Sequence, residues 1–96
     1  MITVVKVNRR VPNFTLYIGR EWAGLPLSKW NNPYHIWQCG TVERCLSQYE
    51  YHIRNSPELM AALHELDDQV LGCWCHPKRC HGDILIQLRK EQLEQV

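Results

Sequence analysis

Apolar and polar positions alternate over Met1 to Val7, which predicts a short first strand followed by a turn around Asn8 to Asn13. Phe14-Thr15-Leu16-Tyr17-Ile18 predicts a second strand, ended by Gly19-Arg20. From Glu21 to Gly40 no period is sustained, and Gly24, Pro26, Asn31, Asn32, Pro33 and Gly40 mark the stretch as loop. A loop of about 20 residues is unusual in a compact domain and often functional. Thr41 then offers a helix cap, with Val42, Cys45, Leu46, Tyr49 and Ile53 recurring at helical spacing. Ser56-Pro57-Glu58 predicts a second helix start: a capping serine, a proline in the first turn and an acid favoured by the dipole. Leu59, Met60, Leu63 and Leu66 would form its buried face, and Asp67-Asp68 its end. Gln69 to Cys75 predicts a third strand. A last helix opens at His81 or Gly82 and carries Ile84, Leu85, Leu88 and Leu93 on or near one face.

The order strand, strand, long loop, helix, helix, strand, helix fits an α/β domain, or a two-layer α+β alternative. The favoured expectation is a small Rossmann-like sheet with helices packed on it. The second and third strands would be parallel neighbours joined by a right-handed helical crossover. Gly19-Arg20 and Cys73-Trp74-Cys75 would then end at one edge of the sheet, under the tryptophan-bearing loop. Ligands collect at such strand ends in open α/β sheets.

Length and charge narrow the class. The 96 residues suit one domain, 1–96, with a single modest core. A formal net charge of +1 with intermixed signs gives no basic stripe, so duplex nucleic acid is not an expected partner. No apolar run approaches the roughly 20 residues that span a bilayer, and the first strand is too short for a signal-peptide core. A cytoplasmic setting is therefore expected, without membrane partners. An odd total of 5 cysteines fits reduced thiols better than a disulfide framework. Amphipathic surface helices make a homodimer the base-rate expectation.

The chemistry concentrates in Cys73-Trp74-Cys75-His76-Pro77-Lys78-Arg79-Cys80-His81-Gly82-Asp83. One reading is a metal site: Cys73, Cys75 and Cys80 as thiolates, with an imidazole from His81 or His76, would complete a tetrahedral Cys₃His zinc shell. The Cys-x-Cys and adjacent Cys-His spacings are irregular for a zinc knuckle. The other reading is the floor of a ligand pocket. A thiol at Cys80, just before a helix start and near Lys78 and Arg79, should have a lowered pKa. His81 would be its proton partner or an independent acid or base. Gly82 permits close approach of a ligand, and first-turn amides suit a phosphate. Asp83 would cap the helix or contact a ribose hydroxyl. Arg20 would neutralise the anion, near Gly19, Asn32, Pro33 and Cys75, and Trp22, Trp30 and Trp37 would offer stacking faces. The bland alternatives are core packing for the cysteines and tryptophans, helix capping for His81 and a satisfied surface charge for Arg20.

Tyr17-Ile18-Gly19-Arg20, Asn32-Pro33-Tyr34, Tyr49, and Cys73-Trp74-Cys75 with Pro77 and Cys80-His81-Gly82-Asp83 together resemble the DUF4326 domain family. The resemblance runs from about Thr15 to about Leu88. It implies a small α/β domain carried by bacteria and their viruses, among other sources. It implies no particular activity. It groups Gly19, Arg20, Asn32, Pro33, Cys73, Cys75, Cys80, His81, Gly82 and Asp83 into one candidate site. Tyr34 stands where phenylalanine is more usual.

Two functions follow as expectations. In the first, the pocket binds a nucleotide-derived or other phosphorylated small molecule, with sequestration or turnover by Cys80, His81 and Asp83. In the second, zinc on the cysteine–histidine cluster stabilises a non-enzymatic protein-interaction module. A thiol redox pair of Cys73 and Cys75 ranks last, because residues two apart on a strand are poorly placed for a disulfide.

Overall fold

Local signals set the helices. Thr41, in extended backbone, accepts the N–H of Arg44 and starts α2, Val42–Arg54. Ser56 accepts the N–H of Leu59 ahead of α3, Pro57–Ala62. In this computed structural model, which describes residues 1–8, 10, 13–21, 24–74 and 78–95, the remaining elements are β1 (Thr3–Lys6), β2 (Leu16–Tyr17), α1 (Ile36–Cys39), β3 (Val70–Cys73) and α4 (His81–Glu94). The helical run after Pro57 does not continue as one α-helix to Leu66. It tightens into a 3₁₀ turn, Leu63–Leu66, that drives Leu63 and Leu66 into the core. Asp68, in the left-handed region, then turns the chain into β3.

The sheet has three strands in the order β1-β3-β2, all parallel. Val4 pairs with Leu71 on one side of β3, and Leu16 with Leu71 on the other. The parallel pairing of β2 with β3 agrees with expectation, so both strands end at the same edge. The strands are shorter than the apolar runs: only Leu16 and Tyr17 of Phe14 to Ile18 join the ladder, although the Ile18 N–H still donates to Gly72 O. Cys75, predicted to end β3, lies outside the described residues.

A single core joins the sheet to the helices. Val4, Ile18 and Leu71 pack with Leu46, Tyr49 and Ile53 of α2, Leu63 and Leu66, and Ile84, Leu85 and Leu88 of α4. Leu93 stands apart from this face, 59% exposed. Trp30 corrects the sequence reading. Its side chain is 1% exposed within this core, and its carbonyl accepts the buried Tyr49 hydroxyl at 2.7 Å. The ring therefore holds the long loop onto the domain and offers no stacking face to a ligand.

Two further departures lie in that loop. It contains the one-turn helix α1, and Cys39 at the end of α1 is disulfide-bonded to Cys45 of α2, with the Cα atoms 5.4 Å apart. The expected reduced state therefore does not hold for this pair; Cys73 and Cys80 stand outside this disulfide. Gly40, at φ +93°, supplies the left-handed turn that folds α1 back on α2. Closing so short a loop removes little chain entropy, so reduction is expected to lower stability by about 2 kcal/mol. Chemical unfolding with and without a thiol reductant measures it, with Cys39→Ser as the control that should no longer respond.

No described helix is long and apolar enough to cross a membrane.

Candidate functional site

The shared edge of β2 and β3 opens a cleft of about 810 Å³. Gly19, Arg20 and Asn32 line it, as do Cys73 and Trp74 after β3, and Cys80 and His81 at the start of α4. The loop carrying Tyr34, His35 and Trp37 forms one wall, and Cys45 and Leu46 of α2 another. Seven of the sequence-selected residues thus meet in one place: Gly19, Arg20, Asn32, Trp37, Cys73, Cys80 and His81. Pro33, Gly82 and Asp83 do not line the cleft, and Trp22 and Cys75 lie outside the described residues.

Gly19 is required by its neighbour. A Cβ there would sit 2.3 Å from the Tyr17 hydroxyl, which folds across it to donate to Arg20 O at 2.5 Å and accept the Trp74 indole N–H at 2.8 Å. Tyr17 carries no role in the sequence reading, yet it fastens the ends of both strands. Its place three residues before Arg20 is the signal available in the sequence.

Arg20 organises the loop. Nε and Nη2 both donate to Asn32 O, at 2.9 and 2.6 Å, and Nη2 also donates to Tyr34 O at 2.9 Å. The Asn32 carboxamide oxygen accepts the Tyr34 N–H, a tight Asx turn around Pro33. No carboxylate among the described residues pairs with Arg20 within salt-bridge distance, although Glu21 also lines the cleft. Arg79 differs: its guanidinium is spent on Glu43, so it does not serve Cys80 as expected.

Cys80 is the N-cap of α4. Its sulfur accepts the Gly82 N–H at 3.3 Å, and Asp83 Oδ2 accepts the Cys80 N–H at 3.2 Å. A hydrogen bond from the Cys73 thiol, helped by the Gly82 and Asp83 N–H groups, holds the Cys80 thiol below its ordinary pKa against the opposing effects of burial and the Asp83 charge. The lowered pKa matches expectation, with causes other than Lys78 and Arg79. His81 Nε2 lies 2.6 Å from Ile18 O, and a carbonyl only accepts, so Nε2 carries the proton and Nδ1 the lone pair. Burial pushes this imidazole below the ordinary histidine range, with the Arg20 charge acting in the same direction. The ring stands edge-on to Tyr49, centroids 5.1 Å apart. Burial also keeps Tyr49 protonated by raising its pKa.

These contacts revise three expected roles. Asp83 is a capping carboxylate outside the cleft, so it is no catalytic acid for a ligand held there. Gly82 is small because α4 packs on the sheet: its Cβ would meet Val4 Cγ2 at 2.9 Å and Ile18 Cδ1 at 3.1 Å. The first-turn amides of Gly82 and Asp83 already bond Cys80 Sγ and Cys80 O, so neither is open to the phosphate expected there.

Trp37 is 76% exposed and stacks on His35 at 5.6 Å with 24° between the rings. Unlike the buried Trp30 ring, it is open at the cleft wall.

Fold and site together define a small α/β domain with a thiol- and imidazole-floored cleft at the ends of parallel strands. The chain belongs to the DUF4326 family, described as "Domain of unknown function (DUF4326)", whose model matches residues 3–91. It is also similar to "Uncharacterized protein R718" of Acanthamoeba polyphaga mimivirus, 40% identical over 96 aligned positions that cover 86% of this chain and 72% of the relative. No solved structure matches the chain.

Proposed function

We propose that the cleft binds a small anionic molecule with a flat organic part, such as a nucleotide-derived or other phosphorylated metabolite. The carrying observation is a guanidinium with no carboxylate partner among the described residues, opening into a cleft whose wall carries an exposed indole. A volume of about 810 Å³ lies within the usual 300–1,000 Å³ of small-molecule sites. Arg20 would hold the anion and Trp37 would stack on the organic part, with Glu21 at the rim favouring a ligand that also presents hydrogen-bond donors. The Rossmann-like character of the sheet is part of this reading: parallel strands, a helical crossover and a ligand at their carboxyl ends. Binding or sequestration suffices for the geometry. Turnover would fall to Cys80 and His81 on the floor.

Calorimetric titration with ADP and with ribose 5-phosphate tests the proposal. Arg20→Gln is expected to weaken both by at least about tenfold, since a charge-assisted pair contributes more than a neutral hydrogen bond. Trp37→Ala should weaken ADP and leave ribose 5-phosphate nearly unchanged, with little effect on melting because the ring is exposed. Equal affinity in Arg20→Gln, or no binding of either probe, overturns the reading.

A further inference from the structure

We propose that Cys73, Cys80 and His81 form an open three-ligand site for zinc on the floor of the cleft, with the fourth coordination position facing the bound molecule. This deepens the small-molecule reading and rests on it for what occupies the fourth position.

One ligand atom from each residue lies within 4.8 Å of the others, and all three residues are buried. Tetrahedral zinc, at about 2.3 Å from sulfur and 2.0–2.1 Å from nitrogen, sets its ligands about 3.6–3.8 Å apart. The two sulfurs and the nearer ring nitrogen therefore stand no more than about 1.2 Å beyond that spacing. Two sulfurs and one imidazole, with no carboxylate among them, select a borderline-soft ion and reject magnesium or calcium.

The surroundings of the donors point the same way. Metal-bound histidines almost always donate their second ring N–H to a carbonyl, carboxylate or water, which fixes the tautomer and the ring's direction. His81 has that arrangement before any ion is present, with Nε2 on Ile18 O at 2.6 Å. Nδ1 is left as the ligand nitrogen. Cys80 Sγ accepts the backbone N–H of Gly82, a contact that stabilises anionic sulfur. The three residues sit on the end of β3 and the first turn of α4, two rigid elements held together by the core. Three protein ligands among the described residues, facing a cleft, are the pattern of catalytic zinc, where water or substrate takes the fourth place, and not of closed structural sites. Binding would replace the Cys73 and Cys80 thiol protons, releasing both to solvent while neutral His81 gives up none. An ion there would join Arg20 in attracting the anionic end of a ligand.

The full chain, freed of metal by chelator and kept under argon so that the Cys39–Cys45 disulfide stays closed, is titrated with cobalt(II) as a spectroscopic substitute for zinc. One equivalent should bind, giving a thiolate-to-cobalt charge-transfer band and the intense visible bands of four-coordinate cobalt. Azide should shift those visible bands by entering the fourth position. Cys80→Ser should lose the charge-transfer intensity of one thiolate. His81→Cys should retain one cobalt and gain that intensity, which also shows that the substituted floor still folds. Arg20→Gln should bind cobalt as before while losing ADP, so the metal site and the ligand reading fail separately. The proposal is overturned if folded wild-type protein binds no cobalt, or if the His81→Cys spectrum matches wild type. A spectrum unmoved by azide overturns the open position by marking a closed four-ligand shell.

Discussion

Trp30→Ala is expected to destabilise the domain by about 3–5 kcal/mol, the usual cost of truncating a fully buried aromatic. A domain of this size is stable by about 5–14 kcal/mol in all, so the change removes a large share of the total. Two effects combine. The indole is 1% exposed in the core, and its removal leaves a cavity between the long loop and α2. The loop also loses its anchor, so the Trp30 carbonyl loses its bond to Tyr49, which otherwise spans 2.7 Å in the interior. Urea unfolding followed by far-ultraviolet circular dichroism measures the loss. Trp37→Ala supplies the contrast, because that ring is exposed and should change stability by about 0.5 kcal/mol or less. A Trp30→Ala protein as stable as wild type would return this ring to the surface role that its place in the loop first suggests.

Gly82→Val should cost about 3 kcal/mol, the upper end of the range for overpacking a tight contact. Even a Cβ would approach Val4 Cγ2 to 2.9 Å and Ile18 Cδ1 to 3.1 Å, and both neighbours are β-branched with little freedom to move aside. Two further methyl groups force α4 away from β1 and the end of β2. Since Cys80 and His81 ride on that helix start, the displacement should also loosen the floor of the cleft. Gly82→Ala separates the two consequences: a smaller loss of stability, and ligand affinity reduced only to the extent that α4 shifts. Unfolding midpoints paired with ADP titrations read both. Wild-type stability in Gly82→Val would mean that α4 and the sheet are not in the contact described.

Sequence by itself determined the pieces whose causes are local. Thr41 and Ser56-Pro57 act on backbone groups two or three residues away, so both helix starts were legible to the residue. The place of Cys80 was legible to within a residue, as a thiol just before a helix that opens at His81 or Gly82. Parallel pairing of β2 and β3 was legible one step further out, because a helical crossover between two apolar strands leaves little choice of direction. It followed that Arg20 and Cys73 end at one edge.

Tertiary structure alone decided the rest, since each outcome depends on partners distant in the chain. Trp30 and Trp37 stand in the same aperiodic stretch, and nothing local separates a core ring from an exposed one. The buried hydroxyl of Tyr49, 19 residues away, makes that choice. Gly82 serves packing because Val4 and Ile18 lie beneath it. Asp83 serves as a cap because its carboxylate reaches back to the Cys80 N–H. Cys39 and Cys45 form a pair because Gly40 reverses the chain between two helices, which an odd cysteine count does not disclose. The floor of the cleft depends on the same physics. The sequence clusters thiols and imidazoles between residues 73 and 81, but only the seating of α4 against the sheet turns Cys73, Cys80 and His81 toward one another.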